Sequence, residues 1–284
     1  MTSNEYPVIL TKDSIDAADA DVVDANVTVV NEMYEALLNH DEIAPNALRS
    51  YYVDYYLTQA LSGGFAQYVF TLPERGDVDV LVREGLEGIG ATAHLDLFNR
   101  TAAAFDALSE EEAEAYLDGE LDESETPAEA VAALEELDGE FESLLETEDI
   151  IELNAAWLRG QDGVQYLDEE QLEAHIAARV ALIPDLEERR AEAAEAELLN
   201  APEFELIIRE LCDVAGFALE KITMGDPNYI HDGEKTLAWH FATDHGDYLM
   251  IEDDDEAFMI HPETKEIIAA VEFEEDDELE GADA

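Results

Sequence analysis

Gln59-Ala60-Leu61-Ser62-Gly63-Gly64-Phe65-Ala66-Gln67-Tyr68-Val69-Phe70-Thr71 is the stretch whose reading decides the fold. Upstream of it, Leu48, Tyr52, Tyr55 and Gln59 recur at helical spacing behind Pro45, a residue suited to the first turn of a helix. The paired glycines break that helix, and Phe65–Leu72 resumes as a short apolar stretch closed by Pro73 and Gly76. Two adjacent glycines permit a sharp turn between helices, with one of them at positive φ. Phe65 is then placed to fold back into the core, and Gln67 to hydrogen-bond the turn.

The helical pattern continues on both sides. Val23, Val27, Val30, Tyr34, Leu37 and Leu38 mark a helix upstream. Downstream, Val78, Leu81, Val82, Leu86 and Ile89 mark one helix, and Leu95, Phe98, Ala102 and Phe105 the next. Ser109 with Glu112, and Thr126 with Glu129, have the spacing of capping boxes, in which a hydroxyl and a carboxylate satisfy each other's backbone amides. Asp168 with Gln171 starts a further helix that Pro184 ends or kinks. Asp185–Leu199 is rich in Ala, Glu, Arg and Leu, all strong helix formers.

After Gly216 the pattern changes. Phe217–Met224, Thr236–Thr243, Asp247–Glu252, Glu256–His261 and Lys265–Phe273 are short and rich in β-branched or aromatic residues. Gly225-Asp226-Pro227, Asp232-Gly233, Gly246 and Pro262 separate them as turns. The predicted fold is mainly α with a smaller α+β part: a multi-helix N-terminal domain, then a helix at Pro202–Val214 and an antiparallel sheet. The expected division is a loose N-terminal arm at 1–20, a helical domain at 21–199, a helix-plus-sheet domain at 200–273 and an acidic disordered tail at 274–284.

The chain carries 13 basic and 73 acidic residues, a formal net charge of −60. Three readings compete for that charge. Disorder needs a low apolar content, and 47% of these residues are hydrophobic. An acidic face could imitate nucleic acid towards a basic partner. Adaptation to a salty cytoplasm would spread acid over the whole length and avoid lysine, whose long apolar stem is a liability where salt promotes apolar association. The acid is spread in that way, and Lys12, Lys221, Lys235 and Lys265 are the only lysines. At about 1 M salt the Debye length is about 3 Å, so carboxylate repulsion is screened there and strong in dilute buffer. The fold is therefore expected to weaken on dialysis to millimolar salt, and an unchanged circular dichroism spectrum and melting point would contradict this.

Cys212 is the single cysteine, so no intrachain disulfide can form. Met1–Leu10 lacks the basic and apolar regions of a signal peptide, and no apolar run has the length of a membrane span; a cytoplasmic location is the expectation by elimination. A chain this acidic has no basic patch for phosphates, so direct binding to nucleic acid is not expected.

No nucleotide, zinc-hydrolase or paired-cysteine motif is present, and no cofactor is expected. Gly85-x-x-Gly88-x-Gly90 follows no strand and reads as close helix packing or a helix terminus. Cys212 lies among Leu206, Ile207, Ile208, Leu211 and Val214 and reads as a core thiol. His231, His240, His245 and His261 fall in the sheet region beside Asp232, Asp244 and Asp247. Imidazole and carboxylate together can ligate zinc or a similar ion, which makes His240 and His245 the metal candidates. Tyr51, Tyr52, Tyr55 and Tyr56 form two i, i+4 pairs, one facing the core and one near the surface, where tyrosine is enriched at interfaces.

The stretch Gln59–Thr71 resembles a bacterial family of helical domains whose hallmark is Asn-Gly-Gly-Phe-x-Gln-Tyr or Phe, a family that includes an acidic DNA-mimic protein. Gly63, Gly64, Phe65, Gln67 and Tyr68 match the hallmark. Ser62 stands where the family has Asn, Gln59 where it has Glu, and Thr71 where it has a closing Asn. The likeness spans roughly residues 25–160 and includes Ile89-Gly90 and the Ala-rich helix after it. The hallmark contains no nucleophile or base, so its role is structural. The resemblance implies a non-enzymatic, protein-binding role, with a dimeric acidic protein occupying a DNA-binding protein. Two other readings stand beside it: a metal-binding protein or enzyme using the histidine-bearing sheet, and an accessory protein whose partner is a second copy of itself.

Overall fold

A computed structural model of the protein describes residues 6–118, 129–231, 233–253 and 255–272. In chain order it contains β1 (Ile9–Thr11), α1 (Asp19–Glu35), α2 (Pro45–Thr71), α3 (Gly76–Ile89), α4 (Thr92–Asp106), α5 (Glu110–Asp118), α6 (Glu129–Leu145) and α7 (Ile150–Arg159). There follow β2 (Gln165–Leu167), α8 (Glu169–Val180), α9 (Leu186–Leu199), α10 (Glu203–Ala215), β3 (Leu219–His231), β4 (Glu234–Thr243), β5 (Gly246–Asp253), β6 (Glu256–Ile260) and β7 (Ile267–Glu272). The fold is thus mainly α with a smaller α+β part, in agreement with the sequence pattern. The chain divides into two units, Met1–Leu186 and Glu187–Ala284. That division falls at the start of α9, whereas the composition change was read near Asn200.

The helices start where local chemistry allows it. Pro45 stands in the first turn of α2. Asp168 and Gln171 make a reciprocal capping box on α8. Ser109 and Glu112 do the same on α5, with the Ser109 amide 2.9 Å from the Glu112 carboxylate. The capping box at Thr126 and Glu129, like the acidic tail, lies outside the described residues.

Among the described residues the first unit has two large apolar cores and a smaller cluster of Tyr116, Val131 and Leu134 between α5 and α6. One joins α1, the start of α2, α7 and α8 through Val22, Val30, Leu48, Leu158 and Leu172. The other joins the rest of α2 to α3, α4 and α6 through Tyr56, Phe65, Leu86, Phe98 and Phe141. Gly85 lies where a Cβ would stand 2.5 Å from Val53, Gly88 where one would stand 2.9 Å from Trp157, and Gly90 ends α3 in the left-handed conformation. The glycine-rich stretch therefore serves close helix packing and a helix terminus.

The N-terminal segment corrects the expectation of a loose arm. Val8, Ile9 and Leu10 are at most 3% exposed, and β1 pairs in parallel with β2, Ile9 opposite Gln165. Parallel strands are joined across long connections, so neither the pairing nor β2 is visible in a local pattern.

In the second unit β3 to β7 form an antiparallel meander in sequential order. α10 covers one face, where Ile208, Leu211 and Cys212 meet Phe241, Met250 and Met259. Burial pushes the Cys212 thiol up to about 11, as expected of an inert core residue. The other face holds Ala238, Ile251 and Ile260, with Tyr229 and Phe258 packed against them. Tyr229 of the edge strand β3 also meets Lys265 of the β6–β7 turn. Residues near opposite edges of the sheet thus touch, which requires the sheet to curl. Gly225-Asp226-Pro227 is not the turn its composition suggests. It lies inside β3 at a register shift between Asp226 and Tyr229, where a bulge accommodates a proline that has no amide to give the ladder.

Candidate functional site at the glycine break

The break in α2 is real and lies at the two glycines. Gly63 has φ −171° and ψ 38°, and Gly64 has φ 67° and ψ −163°. Gly64 therefore occupies a region of backbone space that is essentially restricted to glycine. A Cβ there would also lie 2.9 Å from the Asp138 carboxyl.

Asp138, on α6, closes the break. Its Oδ1 accepts the Phe65 amide at 2.9 Å, and its Oδ2 accepts the Tyr116 hydroxyl at 3.0 Å. A carboxylate supplied from 73 residues away thus satisfies an amide freed by the kink. Gln67 lies against Gly63, its Oε1 3.6 Å from where a Cβ would stand. Phe65 is 2% exposed and Tyr68 is fully buried.

Tyr68 leads into a second network. Its hydroxyl donates to Asp79 Oδ1 at 2.8 Å, while Asp79 Oδ2 accepts from Arg75 and, at 3.3 Å, from Arg83. Arg75 also donates to Asp106, and its guanidinium stands over the rings of Phe65 and Phe105. Burial holds the Asp79 and Asp138 carboxyls above the usual carboxylate range, against the opposing pull of their hydrogen bonds. Burial likewise raises the Tyr68 and Tyr116 phenols. The arrangement fixes the path of the chain and brings no nucleophile to a cleft.

Sequence reasoning singled out Phe65 and Tyr68 and missed Arg75, Asp79, Tyr116 and Asp138. A signal was present for two of them. Arg75, Asp79, Val82 and Leu86 share one helical stripe, and charges inside an apolar stripe call for each other.

The surface tyrosines form a separate group. Tyr34, His40, Tyr51 and Tyr52 meet in edge-to-face contacts with ring centroids 5.0–6.0 Å apart. Tyr56, by contrast, is 3% exposed and belongs to the core. Tyr55 bridges the two groups, touching Tyr52 at 6.4 Å and Tyr68 at 6.3 Å. Between Tyr51 and Tyr55, Asp54 has its carboxyl pushed up to about 6 by burial and then by Asp24. A carboxyl raised in the folded state stabilises below its unfolded pKa, and that contribution is lost as pH rises through about 6. Asp54→Asn should therefore raise the melting point at pH 7 and flatten its fall between pH 4 and 7. Discounted for partial exposure, the gain is about 1 kcal/mol. Parallel melting curves for the two proteins would contradict this.

His240 and His245 are not brought together. His240 pairs with Leu249 on the face bearing Ala238 and Ile251, and its Nε2 is buried without a hydrogen-bond partner. His245 lies in the β4–β5 turn, exposed, 3.8 Å from Asp244, with its ring against Phe217 on the α10 side. Among the described residues no group of three or more His, Cys, Asp or Glu could hold a metal ion. No helix among them is long and apolar enough to cross a membrane.

Residues 41–161 match the model of a protein family described as DMP19-like protein. The matched region runs from just before α2 to the end of α7 and includes the glycine break and both networks; it covers less than half of the chain. No curated protein and no solved structure matches the chain.

Proposed function

We propose that the protein is a non-enzymatic protein-binding module of a salt-adapted cell, which occupies the DNA-binding face of a regulator as a DNA mimic does. The observation that carries this reading is the similarity of residues 41–161 to the DMP19-like proteins, a DNA-mimic family. The distribution of charge supports it. The matched stretch holds five arginines and no lysine. Each of those arginines is tied to a carboxylate: Arg49 to Glu84, Arg75 and Arg83 to Asp79, Arg100 to Asp96 and Glu140, and Arg159 to Asp19. The charge in excess on this stretch is anionic.

The test is affinity capture of the tagged protein from its native lysate, kept in molar KCl throughout. A stoichiometric DNA-binding protein that is displaced by its own DNA site is the expected result. Recovery of the bait alone would overturn the mimic reading in favour of self-association, which sedimentation in the same salt would read directly.

A further inference from the structure

The aromatic group formed by α1, α2 and the turn between them presents half-buried rings at the surface of an acidic protein. Tyr34, Tyr51 and Tyr52 are each partly exposed and His40 is exposed. Their hydroxyls and the imidazole are already positioned. His40 Nε2 is 2.8 Å from the Tyr52 hydroxyl, that hydroxyl is 3.3 Å from Tyr34's, and the Tyr51 hydroxyl donates to Asn31 at 3.0 Å. Tyr55 ties the group to the buried Tyr68, whose hydroxyl is anchored on Asp79. A ring cluster held from behind in this way loses little side-chain freedom on binding, and partly exposed tyrosine of that kind is the usual anchor of a protein interface.

The charge around the rings specifies what they would meet. Exposed Glu35 follows Tyr34 in sequence, and Asp54 lies three residues after Tyr51 on α2, where it adds to the burial that chiefly raises the Tyr51 phenol. Burial raises the Glu32 carboxyl, and the charges of Glu35, Glu169 and Glu173 raise it further. Among the described residues, cation–ring contacts are made by Arg75, Arg83, Arg179 and Lys265. Three of those four are arginines stacked on aromatic rings, so guanidinium-on-ring packing is a contact this chain already uses. It also suits high salt. Screening over about 3 Å at molar salt removes long-range attraction, whereas a weakly hydrated planar guanidinium gains stacking and a short carboxylate contact together. An ammonium group depends more on bare charge.

We infer that Tyr34, Tyr51 and Tyr52, with Asp54 and Glu35 at their rim, form the docking surface for a basic protein face that presents arginine. The inference rests on the protein-binding reading above for the identity of the natural partner, and on the ring geometry for its place.

The test titrates the full chain in 1 M KCl with a deca-arginine peptide and a deca-lysine peptide of equal charge, following ¹³C-labelled tyrosine ring signals. Saturable binding of the arginine peptide, with the signals of Tyr34, Tyr51 and Tyr52 shifting, is expected. The lysine peptide should bind at least tenfold more weakly. Tyr51→Leu, which keeps apolar bulk and removes the ring, should lower arginine-peptide affinity at least tenfold; Tyr51→Phe should retain it and guards against a mere loss of fold. Equal affinity for the two peptides, no saturable binding, or unchanged affinity of Tyr51→Leu would each overturn the inference. A regulator captured from lysate and displaced by its DNA, yet held equally well by Tyr51→Leu, would overturn this surface and leave mimicry standing. Arginine-specific binding at the rings with no regulator captured would do the reverse.

Discussion

Gly64→Ala should lower the melting point of the first unit by about 10 °C. The effect has two parts. The backbone conformation of Gly64, φ 67° and ψ −163°, costs a residue with a Cβ about 1–3 kcal/mol. The new methyl would also press on the Asp138 carboxyl at 2.9 Å. Asp138 cannot retreat freely, because it accepts from the Phe65 amide and from Tyr116. Moving it leaves a buried amide without a partner, which costs about 1–3 kcal/mol more. About 3 kcal/mol in total, at about 2–4 °C per kcal/mol for a unit of this size, gives the stated shift. Thermal melting in molar KCl checks it. Gly63→Ala is the milder comparison, since φ −171° is open to any residue and the nearest atom to the new methyl is Gln67 Cβ at 3.1 Å, a tight contact that a shift of a few tenths of an ångström relieves. If the two substitutions behave alike, the break is not held by Gly64.

Arg75→Met should be as damaging, for an electrostatic reason. The Arg75 and Asp79 side chains are 8% and 5% exposed. Removing the guanidinium strands the carboxylate, with only the more distant Arg83 and the Tyr68 hydroxyl beside it. Breaking a buried pair from one side costs about 3–5 kcal/mol. Asp79 already sits above the usual carboxylate range because of burial, and loss of Arg75 would raise it further. A carboxyl raised in the folded state contributes stability at low pH and loses it as pH rises. The loss in Arg75→Met should therefore be larger at pH 8 than at pH 5. Adding Asp79→Asn removes the stranded charge, keeps an acceptor for Tyr68, and should recover at least half of the loss. Denaturant melts of the two single variants and the double variant measure this. Additive losses would show that Arg75 acts through its packing on Phe65 and Phe105 and not through the pair.

These two positions also show what was legible in the sequence. The helix break, the positive φ of one glycine and the inward Phe65 follow from backbone sterics within a few residues, and local sterics can be read from a string. So can the capping boxes at Ser109 and Asp168, and the five strands after Gly216. Asp138 and Tyr116 reach the break from 73 and 51 positions away, and among 73 acids nothing marks one carboxylate as the closing partner. Arg75 with Asp79 was within reach, four residues apart on one helical stripe. The separation of His240 from His245 depends on strand alternation and on where Phe217 lies, so adjacency in sequence misled. β1 was missed because its partner strand lies on the far side of the whole matched region.

That last pairing has a consequence for biosynthesis. Lys12 reaches Asp168 across 156 residues, and β1 and β2 pair just before each of them. On a ribosome working at about 5–20 residues per second, Val8, Ile9 and Leu10 emerge on the order of ten seconds before β2 exists. Through that interval the edge of β1 and the side of α1 that packs on α7 lack their native partners. The nascent chain would carry this apolar segment incompletely covered until translation passes β2, and a chaperone that shields it during that interval should raise yield.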